Sequence, residues 1–109
     1  MLKIDLEKNG KELKMILDGR LDTTAAPEAE EVLRRELPGA DALTIDMEKL
    51  EYISSAGLRV LMTARRELKK QGSDRLKLTR VNEIIMEIFE VTGFSDIFDI
   101  ETEEGAGEA

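Results

Sequence analysis

The spacing of apolar residues changes along this chain, and that change constrains the fold more than any other feature. Residues 2–6 alternate between apolar and polar side chains, and Leu13, Met15 and Leu17 alternate again. Such alternation is typical of half-buried β-strands. Asn9 and Gly10 lie between the two runs, and this dipeptide favours the positive φ angles of a tight turn. The chain is therefore predicted to open with a β-hairpin.

After the hairpin, segments with helical spacing alternate with short apolar runs. Capping residues and terminal glycines predict helices over residues 24–37, 55–71 and 82–93. Thr24 is expected to cap the first helix, and Pro27 fits its first turn. The apolar runs predict strands over residues 42–47, 76–78 and 97–100.

Strands joined through helices pair in parallel by right-handed crossovers. The prediction is therefore an α/β domain with a mixed, mostly parallel sheet, opened by the hairpin and with helices packed against it. We expect this domain to span residues 1–101. Residues 102–109 are small and acidic, and we expect them to form a disordered tail.

The charge balance narrows the classes of partner. The formal net charge is −8, whereas phosphate backbones and anionic lipids attract Lys and Arg. Direct nucleic-acid binding is therefore not expected. The absence of Cys and His removes disulfides, thiolate nucleophiles, zinc sites built on those residues and the commonest general base, so no metal or cofactor is predicted. No signal-peptide pattern or run of about 18 apolar residues is present, which favours a cytoplasmic location without membrane insertion.

Two other classes of protein fit the residues poorly. A phosphoacceptor receiver domain needs an acidic pair after its first strand to hold Mg²⁺, and only Asp46 is placed like an acceptor. An enzyme could use paired carboxylates, but Glu30-Glu31 and Glu103-Glu104 fall on a predicted solvated helix face and in the tail, not in the cleft that catalytic carboxylates need. Gly57 stands alone rather than in a phosphate-binding loop. We predict a binding protein, not an enzyme.

The segment from Tyr52 to Leu58 carries the most functional information. Ser54 and Ser55 are adjacent at the predicted start of a helix, where one serine can serve as the cap while the other faces solvent. Gly57 in the first turn can allow close packing on the sheet. A helix N-terminus also presents free N–H groups and a positive dipole end. A serine phosphate there would add about −1.5 to −2 charges without unfolding the helix, which would suit a switch read by a partner.

Three segments carry a resemblance to a known family. Residues 52–61 read Y-I-S-S-A-G-L-R-V-L and resemble the signature loop of STAS domains of the anti-anti-sigma type. Residues 18–28, D-G-R-L-D-T-T-A-A-P-E, resemble their other recurrent segment. Residues 91–98, V-T-G-F-S-D-I-F, resemble the close of the same domain. The chain is thus similar to anti-sigma factor antagonists over nearly its whole length, to about Glu101.

The resemblance implies partner switching. An unphosphorylated antagonist of this family binds an anti-sigma factor that is also a serine kinase, which releases the sigma factor. Phosphorylation of the loop serine ends that binding, and a serine phosphatase restores it. Alignment on Gly57-Leu58 places the phosphorylated serine on Ser55. The implied partner-binding residues are Asp22, Thr23, Ser54, Ser55, Ala56 and Gly57.

One departure from the family leaves two alternatives open. Many members carry Asp immediately before the phosphorylated serine, whereas this chain has Ser54, which makes Ser54 the alternative acceptor. STAS modules that bind without phosphorylation also exist, for example as subunits of membrane transport complexes. The chain is expected to be monomeric, with weak dimerisation as the alternative.

Overall fold

The computed structural model of the protein describes residues 1–102. The predicted hairpin is confirmed: strand β1, Leu2–Asn9, pairs antiparallel with β2, Glu12–Leu21. Gly10 in the connecting turn has a φ of +64°, which a glycine adopts without steric cost. Residues 103–109 of the predicted tail lie outside the described part of the chain. Thr102, the first residue of that predicted tail, is instead the last residue of the final strand.

Helices and parallel strands alternate after the hairpin, as the spacing predicts. Helix α1 covers Ala26–Glu36, β3 covers Ala42–Ile53, α2 covers Ser55–Lys70, β4 covers Leu76–Val81 and α3 covers Glu83–Thr92. A short 3-10 turn, Phe94–Asp96, then leads into β5, Asp99–Thr102. The last strand thus begins two residues later than predicted, because Ile97 follows the 3-10 turn.

Strand order in the sheet is the same as strand order in the chain, β1-β2-β3-β4-β5. β2, β3, β4 and β5 are parallel. Since right-handed crossovers that always step in the same direction carry their helices to the same face, α1, α2 and α3 share one side of the sheet. Leu43, Ile45 and Met47 of β3 point to that side and are fully buried. The opposite face carries a row of four residues in register across the strands, of which all but Ile16 are polar: Asp5, Ile16, Asp46 and Thr79.

Strand β3 is longer than predicted, and its irregular register explains why. The sequence predicted a strand ending at Met47, but pairing with β2 continues to Ile53 through two register shifts. Each shift places an extra residue on β3, so the buried positions after Met47 are Leu50 and Ile53, three residues apart. This spacing hides the strand from a search for period-two alternation.

Candidate functional site

The ends of β2 and β3 meet at the same edge of the sheet. Arg20 lies opposite Tyr52, and Leu21 lies opposite Ile53. The backbone N–H of Ser54 then donates to the carbonyl of Leu21 at 3.0 Å. Asp22 follows the last residue of β2, and Ser54 follows the last residue of β3. These two residues therefore lie side by side. The structure brings together the two segments that the sequence analysis assigned to one surface.

The two serines at the start of α2 have different structural roles. Ser54 is the N-cap, with φ −96° and ψ 176°, and its Oγ accepts a hydrogen bond from the Gly57 N–H at 3.3 Å. Ser55 is the first helical residue and is exposed. No acidic side chain lies in the first turn of α2. Ser55 thus presents its hydroxyl to solvent beside N–H groups that carry the positive end of the helix dipole.

Gly57 fixes this helix end against the sheet. A Cβ at this position would lie 2.5 Å from the carbonyl oxygen of Leu21 and 2.7 Å from Cγ1 of Ile53. Gly57 is buried. Among the predicted partner-binding residues it therefore contributes close packing of the helix on the sheet, not an exposed side chain. Ser55 and Thr23 are exposed, while Asp22, Ser54 and Ala56 are partly exposed.

Asp22 organises the turn into α1. Its Oδ1 accepts from the N–H of Ala25 at 3.0 Å, and its carbonyl oxygen accepts from the N–H groups of Ala25 and Ala26 at 3.1 and 2.9 Å. The prediction that Thr24 caps α1 is wrong, since the N-cap is Ala25 and has no side-chain cap of its own. The free N–H of Ala25 instead donates to the Asp22 carboxylate, because a carboxylate three residues before an N–H can reach it.

A cation–aromatic pair beside these residues was not predicted. The guanidinium of Arg20 lies 4.5 Å from the centre of the Tyr52 ring, and its Nε is 3.9 Å from Asp22 Oδ2. Tyr52 is 37% exposed. The sequence analysis placed Tyr52 in a loop and therefore predicted no neighbour for its ring. Only the pairing of β2 with the far end of β3 brings Arg20 and Tyr52 together.

A second polar cluster surrounds Asp46 on the face of the sheet opposite the helices. Asp46 itself is only 2% exposed. Arg80 donates to its Oδ2 at 2.6 Å, and the N–H of Glu48 donates to its Oδ1 at 3.0 Å. Burial alone would raise the pKa of Asp46, but the bonds from Arg80 and Glu48 and the charges of Arg80 and Lys14 outweigh it and hold the pKa below its usual value. Asp46 is thus an internal ionic group, and its enclosure argues against a phosphoacceptor role.

No group of three or more acidic side chains is placed to hold a metal ion within residues 1–102. In the same part of the chain, no helix has both the length and the apolar character needed to cross a membrane.

Comparison with known proteins assigns the family. A model of the STAS domain matches residues 3–107. The chain is 32% identical over 111 residues to an anti-sigma-B factor antagonist of Bacillus subtilis, with 97% of this chain and 96% of that protein covered.

Two solved structures share the fold. An anti-sigma factor antagonist from Mycobacterium paratuberculosis has a TM-score of 0.83 at 20% identity, covering 93% of this chain and 86% of that one. The Bacillus anti-sigma factor antagonist SpoIIAA, solved in unphosphorylated and phosphorylated forms, has a TM-score of 0.71 in both, at 19% and 20% identity. Each form covers 95% of this chain, and this chain covers 94% and 96% of the two structures. The match to the family model and the identity to the Bacillus subtilis protein show that this chain belongs to the STAS domain family.

Proposed function

We propose that this chain is an anti-sigma factor antagonist that binds an anti-sigma factor with serine kinase activity and is switched off by phosphorylation of Ser55. The observation that carries the proposal is the exposed Ser55 at the N-terminus of α2, in a chain with an antagonist as a full-length relative at 32% identity. In this proposal the unphosphorylated form releases a sigma factor in the cytoplasm, and a serine phosphatase restores it.

The geometry favours Ser55 over Ser54 as the acceptor. The Ser54 Oγ already accepts a bond from the Gly57 N–H and is partly buried. A phosphate on that oxygen would have to displace the cap. The Ser55 hydroxyl has no such bond in the described structure and faces solvent. A phosphate on Ser55 would meet the positive helix end and leave the fold intact.

The charge change would act on the neighbouring surface. We assign to this surface the exposed Thr23, the partly exposed Asp22 and Ala56, and the two serines. Asp22 already carries a negative charge beside Ser54. A phosphate on Ser55 would add about two more negative charges. A partner that binds the unmodified surface would then lose affinity through repulsion and through the cost of removing water from the phosphate.

Phosphopeptide mapping after incubation with the cognate anti-sigma kinase and ATP tests the acceptor. We expect one phosphate on Ser55, none on the Ser55→Ala variant, and full modification of Ser54→Ala and of a distant control, Ser95→Ala. A dominant phosphate on Ser54, Thr23 or Thr24 would contradict the assignment. Failure of the kinase to transfer a phosphate to any residue in the presence of ATP would favour the alternative, a STAS binding module such as one in a membrane transport complex.

Two variants separate the charge of Asp22 from its structural role. Asp22→Asn keeps an oxygen that can accept from the Ala25 N–H, whereas Asp22→Ala removes it. We expect both variants to weaken association with the anti-sigma kinase in calorimetry. Only Asp22→Ala should also lower thermal stability, by about 1 kcal/mol. Unchanged affinity in both, with the melting temperature lowered by Asp22→Ala, would assign Asp22 to the fold alone.

A further inference from the structure

Helix α2 carries more cations than acidic side chains. Glu67 is its one acidic residue, and it pairs with Lys70. The other cations of the helix form no ion pair within residues 1–102. They are Arg59, Arg65, Arg66 and Lys69. In a chain with a formal net charge of −8, the helix that begins at Ser55 therefore keeps a local excess of positive charge.

Arg59 differs from the other unpaired cations in its distance from Ser55. Residues three and four positions apart are neighbours on a helix surface. The residues at those spacings from Arg59 are Ser55, Ala56, Met62 and Thr63, and none of them carries a charge. Ser55 and Arg59 are both exposed. Arg59 is thus the one cation of α2 within a helical turn of Ser55, and a charge added to Ser55 would be its nearest partner on the helix.

The helix geometry directs the Arg59 side chain toward Ser55. With about 100° and 1.5 Å per residue, the two positions lie about 40° apart around the helix and about 6 Å apart along it. The Cα–Cβ bonds of a helix tilt toward its N-terminus, so a long side chain at Arg59 leans back over the first turn. An anion four residues before a cation is also the favourable order for a helix pair. The opposite side of α2 faces the sheet and holds the buried residues Gly57, Leu61, Ala64 and Leu68.

We infer that Arg59 is the internal counter-ion of a phosphate on Ser55, bound through two parallel N–H bonds from the guanidinium to the phosphate oxygens. The inference rests on the proposed function, because it assigns a residue to the phosphorylated form. In the adjacent turn, Asp22 would repel the phosphate, and the Nε of Arg20 lies 3.9 Å from Asp22 Oδ2. Of these two arginines, Arg59 is the one without a carboxylate partner in the described chain.

The ion pair would give phosphorylation two electrostatic effects on the surface around Ser55. The phosphate adds negative charge, and the pair engages a cation that the unmodified chain leaves exposed. The second ionisation of a serine phosphate has a pKa of about 6. Because a nearby cation favours the more highly charged form, Arg59 lowers that pKa, and the phosphate is more completely a dianion at neutral pH. Arg59 thus sharpens the charge difference between the two forms.

The test uses the full chain with phosphoserine placed at position 55 during synthesis, so it does not depend on a kinase. Phosphorus NMR over a series of pH values gives the second pKa of the phosphate. Arg59→Gln should raise that pKa by about 0.3, the equivalent of an exposed ion pair at this spacing. Arg59→Lys keeps the charge but not the planar fork, and it should restore about half of the difference or more.

Arg66→Gln is the matched control, because it removes the same charge from an exposed position on the same face of α2. Arg66 lies about 16 Å further along the axis than Ser55, beyond the screening length of about 8 Å at physiological salt. Arg66→Gln should therefore change the phosphate pKa by less than about 0.1. Equal changes in Arg59→Gln and Arg66→Gln would overturn the inference. A larger change in Arg20→Gln would assign the phosphate to Arg20 and overturn it as well.

Thermal melts of the phosphorylated and unphosphorylated chains give a second readout. The phosphate should raise the melting temperature by about 2 °C more in the natural chain than in Arg59→Gln, and equally in the natural chain and Arg66→Gln. A gain that Arg59→Gln leaves unchanged would contradict the ion pair. The result is separable from the proposed function: if the kinase never modifies Ser55, that function fails, while the titration still decides whether Arg59 binds a phosphate there.

Discussion

The N-termini of α2 and α3 begin alike and then differ at the next three positions. Both follow a parallel strand, and both are capped by a side chain that accepts from the third helical N–H: Ser54 from Gly57 at 3.3 Å and Asn82 from Ile85 at 2.9 Å. The first helical residue is Ser55 in α2 and Glu83 in α3. The third is a glycine pressed on the sheet in α2 and a fully buried isoleucine in α3.

The difference separates a permanent charge from a conditional one. Glu83 places a carboxylate at the positive end of α3. Ser55 leaves the same position of α2 neutral, and in the proposed function only a phosphate would add charge there. Asn82 also donates to the carbonyl of Leu50 at 2.9 Å, which ties α3 to β3, whereas the first turn of α2 is held by Gly57 contact. A side-chain bond thus ties the start of α3 to the sheet, whereas the start of α2 would, in the proposed function, accept a new charge.

The largest effect is expected from Gly57→Ala, because the added Cβ would lie 2.5 Å from a backbone oxygen that cannot move freely. We expect a loss of about 3 kcal/mol in the free energy of unfolding, measured by urea titration. Ile85→Val, at the matching position of α3, should cost only about 1 kcal/mol. If Gly57→Ala proved as mild as Ile85→Val, the two helix ends would not differ in how tightly they pack.

Asn82→Ala should cost about 2 kcal/mol, since it removes the cap of α3 and leaves the Leu50 carbonyl without its side-chain donor. Asn82→Asp keeps the capping oxygen but not the donor, so it should recover about half of that loss. The measurement is the midpoint of thermal unfolding, with roughly 4–8 °C per kcal/mol. Complete recovery in Asn82→Asp would show that the link to Leu50 contributes little.

Ser54→Ala should cost about 1 kcal/mol, less than Asn82→Ala, because Ser54 provides a cap but no second side-chain bond. Ser54→Asp restores an acceptor and should return stability to within a few tenths of the natural value. Chemical denaturation of both variants measures this. A cost for Ser54→Ala equal to that of Asn82→Ala would make the two caps equivalent.

The smallest effects come from charge at the first helical position. Ser55→Asp should raise the free energy of unfolding by about 0.5 kcal/mol, and Glu83→Gln should lower it by about 0.5 kcal/mol. Both changes should shrink in high salt, since screening weakens exposed charges. A thermal melt at low and high salt measures them. Strong destabilisation by Ser55→Asp would mean that Ser55 cannot carry a negative charge within the native fold.

Most of the fold could be predicted because its elements are locally consistent. The hairpin, the apolar faces of the helices and the caps at Asn82 and Gly93 each depend on residues that are close in sequence. The wrong predictions involve side chains that act over more residues, or irregular spacing. Asp22 rather than Thr24 accepts from the free N–H at the start of α1, and two bulges place the buried residues of β3 three positions apart.

The site was predictable in part. Adjacent serines before a glycine identified the helix start, and the family resemblance grouped Asp22 with them. Two features were out of reach: the Arg20–Tyr52 pair needs the shifted register of β3, and the burial of Asp46 depends on Arg80, 34 residues away. A single sequence does not specify such distant pairings.

The agreement between strand order and chain order has a consequence for how the molecule is made. A ribosome releases the chain from its N-terminus, so the hairpin emerges first and already offers one edge of β2 for pairing. Each later helix and strand then adds to an edge that exists, and no strand has to be inserted between two earlier ones. The nascent protein can thus assemble by successive addition, with β4 and β5 completing a sheet whose centre has formed before them.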